Sequence, residues 1–258
     1  MSDGEVRYVR DGAVATVIFD RPAARNAMTW RMYQQLGEAC ARMQQEEGLR
    51  VAVFRGAGGK SFIAGTDIAQ FQDFRTGEDG IAYEEKMEIT IGGIEALPVP
   101  TLAVVEGFAI GGGLAIAAAC DLRIATPGSR FGVPIARTLG NCLSMANYAR
   151  LVAALGASRA KRVLLLAENL SADEALAGGC LSEIVEASDL DKRVAALTEC
   201  LAHHAPITMR VSKEAIRRLL LAGLPDGDDL VRASYGSEDF RLGVKAFVEK
   251  REPQWTGR

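Results

Sequence analysis

Hydrophobic and polar positions in the first half of the chain switch repeatedly between short apolar runs and stretches of helical period. Residues 6–9 and 13–19 form two apolar runs around Asp11-Gly12, a hairpin signal, and Arg21-Pro22 ends the second. Met32, Leu36, Ala39, Cys40 and Met43 recur at helical spacing behind Thr29, a good N-cap, which predicts a helix over 30–45. A short strand over 51–54 runs into the loop Gly56-Ala57-Gly58-Gly59-Lys60-Ser61, and Gly65 precedes Thr66-Asp67. Residues 71–80 are polar and without period, so a mobile surface loop is expected there, followed by a helix over 81–97 that Pro98 and Pro100 terminate. Strands are expected at 101–105 and 121–125. From Ser144 onward the pattern is helical, over 144–155, 158–167, 173–177, 189–204, 207–221, 228–235 and 238–250, with serine or aspartate at most starts. Repeated strand-strand-helix units predict an α/β core of stacked turns, with the helical second half covering it or meeting other subunits and the tail from Ala205 as an appendage.

The stretch Val105-Glu106-Gly107-Phe108-Ala109-Ile110-Gly111-Gly112-Gly113-Leu114-Ala115 carries an apolar strand into three glycines that open an apolar helix. Glycine permits unusual dihedrals and close approach, and a helix start leaves amide hydrogens unpaired, so the turn suits an oxygen that gains negative charge. No acidic residue follows the glycines within a helical turn.

Composition narrows the function classes. The chain has 258 residues, 48% of them hydrophobic and 24% charged, with a net charge of −3, which gives no reason to expect a nucleic-acid partner. Its N-terminus has no basic and apolar signal regions, and the apolar run over 108–120 is too short to span a bilayer, so a cytoplasmic protein without membrane association is expected. Cys40, Cys120, Cys142, Cys180 and Cys200 are widely separated, arguing against a disulfide framework and against a bound metal. His203 and His204 sit near a helix end, a structural or exposed placement that speaks against a histidine-dependent triad.

Taken in order, several blocks resemble the crotonase, or enoyl-CoA hydratase/isomerase, superfamily. They are Asp20-Arg21-Pro22 with Asn26-Ala27; Ser61-Phe62-Ile63-Ala64-Gly65-Thr66-Asp67-Ile68; Gly107-Phe108-Ala109-Ile110-Gly111-Gly112-Gly113 with Ala119-Cys120-Asp121-Leu122; Arg130-Phe131-Gly132-Val133-Pro134; Ala172-Asp173-Glu174-Ala175; and the C-terminal Glu238-Asp239-Phe240 to Lys250-Arg251. The resemblance covers nearly the whole chain. It implies an α/β fold, a crotonase-like spiral of ββα units over 1–204 with a C-terminal helical trimerisation region over 205–258. It further implies a homotrimer or a hexamer as a dimer of trimers, and an acyl-CoA substrate that brings coenzyme A as part of the thioester, with no separate cofactor. By position in the motifs, the backbone amides of Thr66 and Gly112 form the oxyanion hole. Ala24, Ala64 and Ile68 line the groove for adenine and pantetheine, and Arg25, Lys60, Lys245 or Lys250 meet the CoA phosphates. The resemblance implies an enzyme, a lyase or isomerase. Asp67 either holds its turn through local amide bonds or takes part in substrate binding and proton transfer.

The chain departs from that family's hydratases at the two positions where they carry glutamate, which hold Ala115 and Ile135 here. Neither can activate water or protonate a carbon, so the two-glutamate mechanism is excluded by this alignment. Gly140-Asn141 resembles the family's 4-chlorobenzoyl-CoA dehalogenase, whose nucleophilic aspartate follows such a pair; Cys142 or Leu143 stands there, with buried filler the competing role for the thiol. Arg137 is either a site for a substrate carboxylate or a surface ion-pair partner. Asp73, Glu84, Glu85 and Glu88 are alternative carboxylates, solvated unless one closes over substrate. The readings left open are an acyl-CoA enzyme working through a thioester enolate, a decarboxylase or thioesterase on the same hole, and a non-catalytic acyl-CoA-binding subunit.

Overall fold

β1 (Glu5–Asp11) and β2 (Val14–Asp20) form the hairpin expected around Asp11-Gly12, paired from Glu5 opposite Asp20 to Asp11 opposite Val14. The structure, a computed structural model, describes residues 3–258. Alternate residues of β2 are buried, so Ala15, Val17 and Phe19 face α1 (Trp30–Gln45), whose stripe of Met32, Leu36, Ala39, Cys40 and Met43 is buried as its spacing predicts. Thr29 caps α1 by accepting from Met32 N at 3.3 Å.

Three strand-strand-helix turns then stack. The first is β3 (Val51–Gly56), β4 (Ser61–Ile63) and α2 (Gly77–Glu95); the second is β5 (Thr101–Val105), β6 (Phe108–Ile110) and α3 (Gly112–Ala119). The third joins β7 (Leu122–Ala125) and β8 (Arg130–Gly132) to the short α4 (Ile135–Thr138). The first strand of each turn enters one sheet and the second enters another. Among the described residues the larger sheet runs β1-β2-β3-β5-β7-β10, and the smaller one β4-β6-β8-β9. β9 (Leu170–Ser171) ends the smaller sheet and β10 (Glu183–Ile184) ends the larger one. Such stacking makes each apolar strand a near-continuous buried run, as in Thr101–Val105, where every residue is buried. The architecture is the spiral of ββα units that the motif order implies, and among the described residues no helix is long and apolar enough to cross a membrane.

The helical half consists of α5 (Met145–Leu165), α6 (Ala172–Ala177), α7 (Leu190–His203), α8 (Pro206–Leu221), α9 (Asp228–Tyr235) and α10 (Glu238–Val248). α5 is the two expected helices joined at a kink, where Gly156 adopts φ 74° and ψ 151°. One expectation changes. Residues 71–80 are no loose loop: Ile68 and Phe71 are buried in a 3-10 turn, and α2 begins at Gly77, where Asp79 accepts from Thr76 N and Arg75 N at 2.8 Å each. Polar composition hid this, because the order comes from α9. A Cβ on Gly77 would lie 2.5 Å from Arg232 O, and one on Gly80 would lie 2.3 Å from the Tyr235 ring. Within the C-terminal segment, α8 buries no residue, whereas α9 packs on α2 and α10 packs over the 3-10 turn.

Candidate functional site

The two glycine turns meet face to face. A Cβ on Gly111 would lie 3.8 Å from Gly65 Cα, and one on Gly112 would lie 3.4 Å from the Thr66 hydroxyl. Gly65 (φ 107°) and Gly111 (φ 55°) hold dihedrals that other residues rarely adopt, which is what turns each strand sharply at this point. The parallel bridge between Met28 and Thr66 uses Gly65 O and Asp67 N, with Met28 N donating to the former at 2.9 Å and Met28 O accepting from the latter at 2.8 Å. Successive amides alternate sides, so the Thr66 N–H is directed away from that bridge. Gly112 opens α3, and the first intrahelical donors are Leu114 N and Ala115 N, both to Gly111 O at 3.0 and 3.1 Å. Its N–H therefore belongs to the unpaired first turn, at the positive end of the helix.

Both residues line a cavity of 140 Å³, whose wall also holds Ala64, Ile68, Ala115 and Ile135. Ala115 and Ile135 thus face the cavity as apolar surface. Hydroxyls lie beside Thr66: Tyr33 Oη is 2.8 Å from Thr66 Oγ1, and Tyr83 Oη is 3.3 Å from the same atom. Burial pushes the Tyr33 phenol up to about 12 and those of Tyr83 and Tyr235 well above their usual value, so all three stay protonated. Phe71, Phe74, Tyr83, Tyr235 and Phe240 pack edge-to-face or tilted around the far end, with Phe71 to Tyr83 at 5.0 Å and Tyr235 to Phe240 at 4.8 Å.

One carboxylate reaches this cavity. Glu84 is 5% exposed, and its Oε1 accepts from Tyr235 Oη at 2.7 Å while its Oε2 accepts from Ser144 N at 2.9 Å. Burial first, and then the neighbouring Glu88, raise its carboxyl from 4.5 to about 7, against the lowering effect of its hydrogen bonds. A raised carboxyl holds a proton in the folded chain that the unfolded chain releases, so this group stabilises the fold below pH 4.5 and the stabilisation is lost as pH rises through about 7. Glutamine imitates the protonated form. Glu84→Gln is therefore expected to match wild type in denaturant titrations near pH 4 and to exceed it by about 3 kcal/mol above pH 8. Equal stability of the two proteins at both pH values would refute the buried, raised carboxyl.

The remaining sequence-derived residues fall into two groups. Ala64, Thr66, Ile68 and Gly112 are brought together in the cavity wall. Ala24 is half-buried in a 3-10 turn, and Arg25 is exposed beside it in the left-handed region (φ 51°), its guanidinium 5.2 Å from the Phe108 ring centre. Asp67 is ion-paired to Arg21 at 2.8 Å and caps its turn by accepting from Ala69 N at 3.2 Å, the local holding role. Arg137 is not part of the cavity lining: α4 turns Ile135 inward and leaves Arg137 exposed on the opposite side. Lys250 is exposed past the end of α10, whereas Phe247, three residues earlier, lines the cavity. Burial pushes the Cys142 thiol up to about 12, so it is no ready nucleophile. Asp73 and Glu85 are exposed and Glu88 pairs with Arg150, which leaves Glu84 as the member of that set in the lining.

Comparison with known proteins places these features among relatives. A family model described as enoyl-CoA hydratase/isomerase matches residues 10–258. A short-chain-enoyl-CoA hydratase of Clostridium acetobutylicum is 32% identical over 247 residues, which cover 94% of each chain. The crystal structure of an enoyl-CoA hydratase/carnithine racemase from Magnetospirillum magneticum is 32% identical and superposes with a TM-score of 0.80, over 98% of this chain and 96% of that one. Methylmalonyl-CoA decarboxylase in complex with 2-nitronate-propionyl-CoA is 28% identical, with a TM-score of 0.89 over 98% of both chains.

Proposed function

The chain belongs to the enoyl-CoA hydratase/isomerase family, and from that premise we propose that it makes and uses the enolate of a short acyl-CoA thioester without adding water. The thioester oxygen is held by the amides of Thr66 and Gly112, which stabilise the charge it gains when the α-carbon loses a proton or a carboxyl group. Ala64 and Ile68 contact the pantetheine arm, Ala24 lies on the way to the adenine, and Arg25 and Lys250, both at the surface, meet the phosphates.

The observation that carries this reading is the pair Ala115 and Ile135 in the cavity wall. Water addition across an enoyl thioester calls for one group to activate water and another to protonate carbon, and an apolar wall supplies neither. A shift of a double bond needs one group that takes and returns a proton. Loss of a carboxyl group is favoured as a second reading by the likeness to methylmalonyl-CoA decarboxylase, and apolar walls suit it because they strip water from the departing carboxylate.

Isotope-edited infrared spectra of bound [1-13C]butyryl-CoA are expected to show the thioester carbonyl band moved to lower frequency, the mark of a polarised oxygen. Crotonyl-CoA hydration, followed as loss of the conjugated enoyl-thioester absorbance, is expected to be slow in wild type and faster in Ala115→Glu, Ile135→Glu. Rapid hydration by the wild type would overturn the reading, and an unmoved carbonyl band would remove the hole itself.

A further inference from the structure

We propose that Glu84 is the acid and base of this cavity, exchanging a proton with the α-carbon of the bound acyl group, and that Tyr235 is the residue that positions it. The inference rests on the enolate reading and serves both of its forms, because a double-bond shift and a decarboxylation each place a proton on the α-carbon.

Glu84 is the carboxylate in the wall that also holds Thr66 and Gly112. Its two oxygens are fixed from different elements. Asn141 Nδ2 donates to Tyr235 Oη at 3.1 Å, Tyr235 in turn donates to Glu84 Oε1 at 2.7 Å, and the amide of Ser144, the N-cap of α5, donates to Oε2 at 2.9 Å. Each carboxylate oxygen has a second lone-pair direction, so these bonds orient the group and leave it able to take a proton. Asn141 Oδ1, also in the cavity lining, is buried and has no partner, an acceptor left for a hydroxyl or water beside the glutamate.

A second observation concerns supply. Glu84 also lines an outer cleft, formed with Glu85, Glu88, Ser144, Met145, Asp226 and Asp228. It borders both spaces. In the base direction the Cα–H bond breaks, its electron pair moves into the enolate whose charge rests on the thioester oxygen, and the proton bonds to a Glu84 oxygen. In the acid direction the Glu84 O–H bond breaks, the proton forms the Cα–H bond as the enolate collapses to the carbonyl, and the carboxylate takes a new proton from water in the outer cleft.

The groups facing Glu84 set how it titrates. They are Tyr33 from α1, Tyr83 and Glu88 from α2, Cys142 from the loop before α5, Asn147 and Tyr148 from α5, Tyr235 from α9 and, around the outer cleft, Glu85 from α2, Asp226 from the loop before α9 and Asp228 from α9. The acids among these are Glu88, which is held by Arg150 at 2.6 Å, and Glu85, Asp226 and Asp228 around the outer cleft. The base form thus appears as pH rises through about 7, and the hydrogen bond from Tyr235 favours that form.

The test is exchange of the α-protons of [1-13C]butyryl-CoA in D2O with the full-length protein, read by mass, alongside the carbonyl band of the bound thioester. Wild type is expected to exchange, with a rate that rises through about pH 7. Glu84→Gln is expected to lose about 10²–10⁴-fold in exchange while the carbonyl band stays shifted. Glu84→Asp is expected to recover part of the rate, and Tyr235→Phe to move the pH limb upward, which a merely structural glutamate would not produce. A shifted carbonyl with no exchange in wild type, or with undiminished exchange in Glu84→Gln, overturns the assignment to Glu84 and leaves the hole standing. An unshifted carbonyl in wild type overturns the enolate reading beneath it. Should Glu84→Gln not fold, a pH-independent wild-type rate together with an unshifted Tyr235→Phe profile overturns the assignment equally.

Discussion

Arg150→Ala is expected to lower the unfolding free energy by about 3–5 kcal/mol, because it removes the buried guanidinium that bridges two acids. The Arg150 side chain is 0% exposed. Its Nη1 donates to Glu88 Oε2 at 2.6 Å and Asn147 Oδ1 at 2.9 Å, and its Nη2 donates to Glu88 Oε1 at 2.6 Å and Glu95 Oε2 at 2.8 Å. With Glu95 only 8% exposed, loss of the guanidinium leaves a carboxylate in the protein interior without its ion-paired partner, and Arg217 acts on it only at longer range. Lysine is a poor replacement, since a single ammonium cannot span two carboxylates and an amide in the planar fork that arginine supplies. Chemical denaturation monitored by circular dichroism measures the loss. Adding Glu88→Gln and Glu95→Gln to Arg150→Met is expected to recover part of it, because the stranded charges are then gone. A loss below 1 kcal/mol in Arg150→Ala would mean that the cluster does not pin α5 to α2.

That cluster also marks where the sequence stops being readable. Local signals were sufficient for α1, whose stripe from Met32 to Met43 and N-cap Thr29 occur as the spacing predicts, and for the Gly111–Gly113 turn, whose chemistry is carried by adjacent residues. α2 is different. Ile81, Glu84, Glu88, Ile91 and Glu95 recur at spacings of three and four, one stripe on which acids stand at positions where apolar residues are expected. The spacing was visible, yet its meaning lies elsewhere in the chain: Arg150 answers two of the acids, and Tyr235 and Ser144 answer the third. The same distance in sequence hid the ring cluster, in which Phe71 and Tyr83 meet Tyr235 and Phe240 only after the C-terminal helices fold back. Arg137 shows the converse. Its residue type left a carboxylate site and a surface ion pair both open, and the local geometry bears on the choice: one turn of α4 cannot point both Ile135 and Arg137 the same way, and the isoleucine is the one turned inward.

Gly113→Ala is expected to disable the proposed oxyanion site while leaving the fold in place. A Cβ there would lie 2.2 Å from Ile63 O and 2.8 Å from Ile63 Cβ, so α3 has to move off β4. Neither obstacle is a flexible side-chain end that can swing aside. Gly112 rides on the first turn of α3, and Thr66 follows β4 by three residues, so the shift parts the two amides proposed to hold the thioester oxygen. Losing one such donor costs about 2.7–4 kcal/mol of stabilisation of the charged oxygen, or about 10²–10³ in rate, whereas overpacking itself costs about 1–3 kcal/mol of stability. Gly37→Ala provides the contrast. It lies within α1 where a Cβ meets nothing within 4 Å, so the added methyl is expected to raise stability by about 0.5–1 kcal/mol and leave the site unchanged. The two variants are compared by the carbonyl band of bound [1-13C]butyryl-CoA and by thermal unfolding. If Gly113→Ala keeps the full carbonyl shift, the close packing of α3 on β4 is not what aligns the amides, and their geometry must be held by the turns alone.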